Sequence, residues 1–299
     1  MNLPDSFITT IRNVFEKEGE SLLANLPRLI DEASQRWGLS DIRPVPNLSY
    51  NFVAFARRNV EDVILKIGVP NVELTSEMET LRLFDGRGAC RLFEADEDKG
   101  MCLIERLKPG RMLAALDDDE GATRIAAEVM SRLWRPAPAE GRFLSLKKWF
   151  DGLKRMRVRF GGRTGPLPGQ IVEKAEGLLH DLFTEGRPDV LMHGDFHHYN
   201  VLESERGWLI IDPKGVIGPA GYETGPLLTN PLDLLKRVDP VRITERRISI
   251  LAERLGFERK YIQAWGIAHT VLSAWWSVEG HEDWRYAIQC AEVIGRAGI

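Results

Sequence analysis

Apolar residues first recur at spacings of three and four in the segment Asp5–Trp37. Phe7 and Ile11 begin one apolar stripe, and a second stripe begins at Leu22, after Gly19. This spacing places apolar side chains on one face of an amphipathic helix. The pattern therefore predicts two helices, one on each side of Gly19.

The next part of the chain has the shorter apolar runs that are typical of strands. Two runs, residues 48–56 and 60–67, are separated by Arg58 and Asn59, which suit a turn. We expect a β-hairpin here. Its second strand carries a charged residue, Lys66, within the apolar sequence VEDVILKI.

A helical pattern returns over Val72–Phe84, where Leu74 and Met78 lie on one face. At 100° per residue, Glu77 falls about 60° from that apolar stripe, whereas Glu79 lies on the far side of the helix. Glu77 is therefore expected to face inward, toward the preceding sheet.

Two further strands are predicted at residues 90–95 and 101–105, around a DEDKG turn. The sequence LKPG at residues 107–110 interrupts the pattern and marks the best boundary between two lobes. The remaining chain is mainly helical, with one group of short strands between residues 190 and 212.

These elements predict an α+β protein of two lobes. Residues 1–107 are expected to form a small antiparallel sheet preceded by helices, and residues 108–299 a mainly helical lobe. No internal repeat interrupts this division.

Composition and charge exclude several classes of protein. Of the 299 residues, 43% are hydrophobic and 28% charged, and the net charge of −4 gives no general attraction to nucleic acid. Cys90, Cys102 and Cys290 form no CxxC pair, which argues against a disulfide framework. No stretch approaches the roughly 20 apolar residues of a membrane span, and the N-terminus lacks the pattern of a signal peptide. We therefore predict a cytoplasmic protein without a membrane or nucleic-acid partner.

The segment with the strongest chemical signal is HGDFHHYN, residues 193–200. Phosphoryl transfer requires a group that orients the attacking hydroxyl, oxygen ligands for magnesium and a cation on the nucleotide phosphates. Asp195 follows the apolar strand at residues 190–192, where the end of a strand can hold a carboxylate toward a cleft. We predict Asp195 as the base for an acceptor hydroxyl.

Two oxygen ligands for magnesium are expected near this segment. Asn200 opens the short strand Val201–Leu202, and a hairpin then leads into the strand that ends at Asp212. Carboxylate and amide oxygens at neighbouring strand ends suit Mg²⁺, which prefers hard ligands.

The sequences HGDFHHYN and IIDPKG resemble the catalytic and metal-binding segments of the aminoglycoside phosphotransferases. The longer run DPKGVIGPAGYETGPLLTNP resembles the aminoglycoside/hydroxyurea resistance kinases. The resemblance implies a protein-kinase-like fold, with Lys66 on the α- and β-phosphates of ATP and Glu77 holding Lys66. It also implies that the backbone from Glu105 to Leu107 meets adenine.

The sequence departs from the protein-kinase pattern at two positions. His197 stands where protein kinases carry a lysine, two residues after Asp195, and DPKG at residues 212–215 replaces DFG. Both departures point away from protein substrates. The phosphate-covering loop near residues 47–51 contains no glycine, so its backbone amides and Ser49 are the groups expected there.

A cationic aminoglycoside needs carboxylates around its ammonium groups. Candidates for the acceptor pocket are Glu223 and the end of the helix predicted after Gln263, where Glu279 could lie beneath an aromatic wall with Trp275. A purely structural role in helix packing remains the alternative for the tryptophans.

The function expected from these residues is ATP- and magnesium-dependent O-phosphorylation of a small molecule, with a streptomycin-like aminoglycoside as the first candidate. Another small alcohol, a sugar or a hydroxyurea-type compound remains an alternative acceptor. Two further alternatives are a non-catalytic nucleotide-binding module and a zinc site formed by His193, His197, His198 and Asp195. The sequence makes no prediction of the oligomeric state.

Overall fold

A five-stranded antiparallel sheet dominates the first third of the chain in the computed structural model, which describes residues 3–298. Its spatial order is β1-β2-β3-β5-β4. The strands are β1 (Leu39–Pro44), β2 (Phe52–Arg58), β3 (Glu61–Ile67), β4 (Leu92–Asp96) and β5 (Met101–Glu105).

The helical segment α1 (Asp5–Trp37) covers one face of this sheet. It contains a kink at Glu16, whose φ is 44° and ψ −117°, so two helical halves are present as predicted, but they meet three residues before the expected Gly19. At Gly19 an added Cβ atom would lie 2.3 Å from the carbonyl oxygen of Ile11, so only glycine lets the halves approach so closely.

The second helix, α2 (Val72–Phe84), lies on the other face of the sheet and has the predicted bounds. Along β3, Val63 and Leu65 share a core with α1. Because successive side chains of a strand point to opposite faces, Lys66 points toward α2. Asn71 caps α2, since its side chain accepts a hydrogen bond from the backbone N–H of Leu74 at 2.9 Å.

The second lobe is mainly helical, as predicted. Its helices are α3 (Asp119–Leu133), α4 (Leu146–Arg159), α5 (Gly169–Thr184), α6 (Thr224–Leu228), α7 (Pro240–Leu255), α8 (Arg259–Glu279) and α9 (Arg285–Arg296). They enclose a core that continues into α2 and so joins the two lobes.

Two small sheets cross the second lobe. They are built from β6 (Pro109–Met112), β7 (Arg135–Pro136), β8 (Leu144–Ser145), β9 (Asp189–Met192), β10 (Val201–Ser204), β11 (Gly207–Ile210) and β12 (Val216–Pro219). One sheet has the order β11-β10-β6 and the other β7-β9-β12-β8. The ends of β9, β10 and β11 lead into the segments that carry Asp195, Asn200 and Asp212.

The observed architecture confirms the expected α+β fold with a sheet lobe and a helical lobe. The prediction missed β1 and the strands β6, β7, β8 and β12. These strands have two to six residues, too few for a clear alternating pattern. Within residues 3–298, no helix is long and apolar enough to cross a membrane.

Candidate active site

The loop after β9 is fixed by the side chain of His193, which is fully buried. Its Nδ1 accepts a hydrogen bond from the backbone N–H of Asp195 at 3.1 Å, and Nε2 lies 3.0 Å from the carbonyl oxygen of Ile211. These partners require the neutral tautomer with hydrogen on Nε2. Burial lowers the pKa of His193 to about 4, which agrees with a neutral ring.

Glu223 holds the same loop from the opposite side. Its carboxylate accepts hydrogen bonds from the backbone N–H groups of His193 and Gly194, at 3.1 Å and 2.8 Å. Glu223 is fully buried, and burial raises its pKa to about 8. The prediction that Glu223 lines an acceptor pocket is therefore wrong, because both of its oxygens bind the backbone of the loop.

Asp195 stands at the exposed side of the loop. Its side chain is 39% exposed, and Nε2 of His197 lies 3.6 Å from its Oδ2 atom. Burial would raise the pKa of Asp195, but the neighbouring His197 and the positive charge of Lys214 hold it below its ordinary value. Asp195 is thus a carboxylate that can accept a proton.

Asn200 and Asp212 lie beside Asp195, as the hairpin between them predicted. The Nδ2 group of Asn200 donates a hydrogen bond to the carbonyl oxygen of Asp195 at 3.1 Å. The backbone N–H of Ile211 donates to the carbonyl oxygen of Asn200 at 3.0 Å, which brings the two strand ends together. Asp212 has a φ of 57°, a conformation that is uncommon for non-glycine residues and clusters at functional sites.

Lys66 joins the two lobes through ion pairs. Its Nζ atom lies 2.7 Å and 2.6 Å from the two carboxylate oxygens of Glu77, and 2.5 Å from Oδ1 of Asp212. Burial would lower the pKa of Lys66, but the charges of Asp212 and Glu77 outweigh it and raise the pKa above its ordinary value. We call Lys66, Glu77, Asp195 and Asp212 the charged centre.

The oxygen donors at this place are of the kind that magnesium prefers. Because Nδ2 of Asn200 binds a backbone carbonyl, its Oδ1 atom is left for another partner, and Asp212 adds a carboxylate. Zinc fits less well, since both ring nitrogens of His193 already have partners. No group of three or more His, Cys, Asp or Glu residues that could hold a metal exists within residues 3–298.

The predicted hinge lies at the edge of the sheet, where β5 ends. The side chain of Glu105 accepts a hydrogen bond from the backbone N–H of Arg91 at 3.0 Å and from Nε of Arg206 at 3.2 Å. Leu107 is buried, and Ser49 is exposed in the loop between β1 and β2. The backbone at residues 105–107 thus links the sheet lobe to β6.

Two cavities meet at the charged centre. The larger cavity, of about 590 Å³, contains Asp195 and an aromatic wall with Trp149 and Trp276. The smaller cavity, of about 480 Å³, contains Glu77. Tyr50, Glu73 and Lys214 line both cavities.

Two residues at the larger cavity, Lys214 and Trp149, were missed by the sequence analysis. Lys214 follows the metal-ligand candidate Asp212 by two residues, and its backbone N–H donates to the carbonyl oxygen of His193 at 2.7 Å. Trp149 and Trp276 meet edge to face, with ring centroids 5.2 Å apart. The position of Lys214 beside Asp212 was a usable signal, whereas nothing in the sequence pairs the two tryptophans.

The predicted pocket residues Trp275 and Glu279 do not line the larger cavity. Trp275 is 1% exposed and packs against Gly152 and Phe160, which agrees with the packing alternative. Glu279 lies at the end of α8, 3.9 Å from Arg155. Rotation by one helical position separates the buried Trp275 from Trp276, which faces the cavity.

Comparison with known proteins agrees with this geometry. Residues 36–280 match the model of the aminoglycoside/hydroxyurea antibiotic resistance kinase family. A streptomycin 6-kinase from Streptomyces glaucescens is 29% identical over 93% of this chain and 92% of its own length. A hydroxyurea phosphotransferase from Kitasatospora aureofaciens is 32% identical over 94% of this chain and 82% of its own length.

Solved structures show the same fold at low sequence identity. An aminoglycoside phosphotransferase in complex with ADP and hygromycin B has a TM-score of 0.63 and 15% identity, over 90% of this chain and 99% of that one. A choline/ethanolamine kinase family protein from Mesorhizobium loti also has a TM-score of 0.63 and 15% identity, over 89% of this chain and 94% of that one.

The bilobal fold and the loop around Asp195 define a kinase-like phosphotransferase that acts on small molecules. Within that class, the chain belongs to the aminoglycoside/hydroxyurea antibiotic resistance kinase family.

Proposed function

We propose that this protein transfers the γ-phosphoryl group of ATP to a hydroxyl of a small molecule, in a magnesium-dependent reaction. One observation carries the proposal: Asp195 faces the larger cavity next to the ion pairs of Lys66 with Glu77 and Asp212. An acceptor in the larger cavity and a nucleotide at the charged centre would meet at Asp195.

Asp195 is the proposed base. It accepts the proton of the acceptor hydroxyl as that oxygen attacks the γ-phosphorus, and the bond from phosphorus to the β-phosphate oxygen breaks. Its lowered pKa keeps it ionised and ready to accept the proton. His197 stands beside the carboxylate and limits its orientation.

Lys66 is the proposed cation on the α- and β-phosphates. Glu77 holds it with both carboxylate oxygens, so the ammonium group is already positioned before the nucleotide binds. The bond to Asp212 is expected to be exchanged for phosphate and metal contacts. Asn200 and Asp212 would hold the magnesium ion, which would neutralise charge on the phosphate oxygens when bound.

Lys214 is the proposed cation on the transferred phosphoryl group. It lies at the junction of the two cavities, and its nearest carboxylate is that of Glu73, at 3.8 Å. His197 occupies the position where protein kinases carry a lysine, so Lys214 supplies a positive charge from the other side of the loop. The backbone of Glu105 to Leu107 is proposed to bind adenine, and the loop with Ser49 to cover the phosphates.

The proposed acceptor is a streptomycin-like aminoglycoside. The names of two relatives, a streptomycin 6-kinase and a streptomycin 3''-kinase, support this acceptor class. Hydroxyurea is the second candidate, because a relative at 32% identity is named a hydroxyurea phosphotransferase. A non-catalytic nucleotide-binding role has less support, since the base, the lysine and the metal-ligand candidates are all present.

The experiment that tests this function is an ATP-consumption screen. Streptomycin, other aminoglycosides, hydroxyurea and common alcohols are offered with magnesium, and the Asp195→Asn protein serves as control. We expect acceptor-dependent ATP consumption by the wild type with streptomycin. Equal consumption by wild type and Asp195→Asn, or none with any acceptor, would reject the proposal.

A further inference from the structure

His269 is a buried histidine on α8 with no role in the mechanism above. It is 7% exposed, and its side chain reaches the larger cavity. Its Nδ1 atom lies 3.1 Å from the hydroxyl oxygen of Tyr222, and the two rings meet edge to face at 5.5 Å. The contact with Tyr222 determines which ring nitrogen carries the hydrogen.

The hydroxyl of Tyr222 is fully buried, and within residues 3–298 its one hydrogen-bond partner is Nδ1 of His269. If Nδ1 carried a hydrogen, the hydroxyl hydrogen would be left unpaired in the core, which is costly. The hydroxyl therefore donates to Nδ1, and the ring hydrogen sits on Nε2. Burial also lowers the pKa of His269 to about 4, so the ring is neutral.

The Nε2 atom of His269 opens onto the larger cavity. It makes no hydrogen bond within the described part of the chain. The atom is also not fully enclosed by protein, so an acceptor in the cavity can reach it. Ser273 and Trp276 follow at positions i+4 and i+7 of α8 and line the same cavity. The α8 wall of the cavity thus presents a neutral N–H group beside an aromatic ring.

We propose that the Nε2–H group of His269 binds an uncharged oxygen, a hydroxyl or a carbonyl, of the acceptor. This inference rests on the proposed function and adds the orientation of the acceptor. A fixed donor cannot bind an ammonium or guanidinium group, because these are also donors. The cationic part of an aminoglycoside therefore faces Glu73, whose side chain is 57% exposed at the cavity.

The tautomer can be measured without any acceptor. In ¹⁵N NMR spectra of the wild type between pH 6 and 8, we expect His269 to show an unprotonated Nδ1 and a protonated Nε2. Tyr222→Phe removes the hydroxyl donor, and we expect it to mix the two tautomers. A wild-type His269 with hydrogen on Nδ1, or on both nitrogens, would overturn the inference and leave the proposed function intact.

The kinetic test compares two substitutions of His269 with streptomycin as acceptor. His269→Leu removes the donor and should raise the KM for streptomycin about tenfold, with the KM for ATP unchanged. His269→Gln retains an N–H donor and should recover most of that loss. His180→Gln is the matched control, because His180 is exposed on α5.

The salt dependence of KM distinguishes the contribution of Glu73 from that of His269. Glu73→Gln should raise the KM for streptomycin at low salt, and this effect should shrink as salt is added, because it is electrostatic. The effect of His269→Leu should not depend on salt. Equal KM values for wild type, His269→Leu and His269→Gln would overturn this inference alone. A wild type without phosphotransferase activity would overturn the proposed function and this inference together.

Discussion

The charged centre and the larger cavity share Asp195 and are otherwise built from different kinds of group. In the charged centre, Lys66 binds two carboxylates at 2.5 to 2.7 Å. In the larger cavity, the wall on α8 consists of a neutral histidine, a serine and a tryptophan. Phosphoryl groups need matched charges, whereas this wall offers an aromatic surface and neutral hydrogen-bonding groups.

The difference also concerns where the residues come from. The charged centre uses Lys66 on β3, Glu77 on α2, and Asp195 and Asp212 in the segments that follow β9 and β11. The cavity draws on α2, α4, α8 and the segment between α6 and α7.

The largest expected effect is that of removing the base. Asp195→Asn should lower kcat by roughly 10²- to 10⁴-fold, the usual range for a lost general base, with the affinity for ATP nearly unchanged. Steady-state kinetics with streptomycin and a nucleotide titration measure both quantities. Near-normal turnover in the variant would show that Asp195 is not the base, and the two regions would then not meet at a catalytic group.

His269 in the neutral wall should contribute to the loss of stability in acid, as the buried His193 does at the loop of Asp195. Since the folded pKa of His269 lies near 4, below its unfolded value of about 6.5, the folded state binds fewer protons between these values. His269 should therefore contribute a fall of up to about 1.4 kcal/mol in the free energy of unfolding for each pH unit as pH decreases through this window.

Urea unfolding of wild type and His269→Gln, from pH 7 to pH 4.5, measures this contribution. The variant should show a shallower loss of stability than the wild type. His180→Gln, at an exposed position, should keep the slope of the wild type. An unchanged slope in His269→Gln would mean that His269 is not held neutral.

Glu223 supports the charged centre from behind the loop, and its substitution tests that support. Glu223→Gln replaces one acceptor oxygen with a donor, so one backbone N–H of His193 or Gly194 loses its partner. We expect the free energy of unfolding to fall by about 1 to 3 kcal/mol. Glu205→Gln, at an exposed position, is the control, and equal unfolding curves for the two variants would argue against this role.

Lys214 lies between the two cavities, and its substitution should have the smallest of these effects. If its ammonium group binds the γ-phosphoryl group, Lys214→Met should weaken AMP-PNP binding about tenfold and leave ADP binding within about twofold. Calorimetric titrations of both nucleotides give the ratio. Lys154→Met is the control, because Lys154 is also paired with a carboxylate but lies 80% exposed on α4.

Equal losses for ADP and AMP-PNP would place Lys214 on the α- and β-phosphates instead. The Lys214 variant would then resemble a Lys66 variant, in which the binding of both nucleotides should be weaker. No loss for either nucleotide would leave Lys214 as a partner of Glu73 alone.

The charged centre was predictable because its residues occupy positions with local constraints. Alternation along β3 determines the face on which Lys66 lies, and helical rotation turns Glu77 inward. Asp195, Asn200 and Asp212 follow short strands in a recognisable motif. The structure brings all five residues together.

The acceptor side was not predictable for a physical reason. On α8, nearly every position from Tyr261 to Trp275 is buried, so the hydrophobic pattern does not distinguish a cavity face from a packing face. The sequence also cannot distinguish the buried Glu223 from an exposed glutamate. Both errors concerned side chains whose surroundings are formed by elements distant in the sequence.

The most direct test of the central claim follows the label from γ-labelled ATP in a reaction with magnesium and streptomycin. We predict one phosphate on a streptomycin hydroxyl, detected by mass spectrometry, with none formed without magnesium and formation roughly 10²- to 10⁴-fold slower with Asp195→Asn. Release of the label as inorganic phosphate at equal rates from wild type and Asp195→Asn, with streptomycin unmodified, would contradict it.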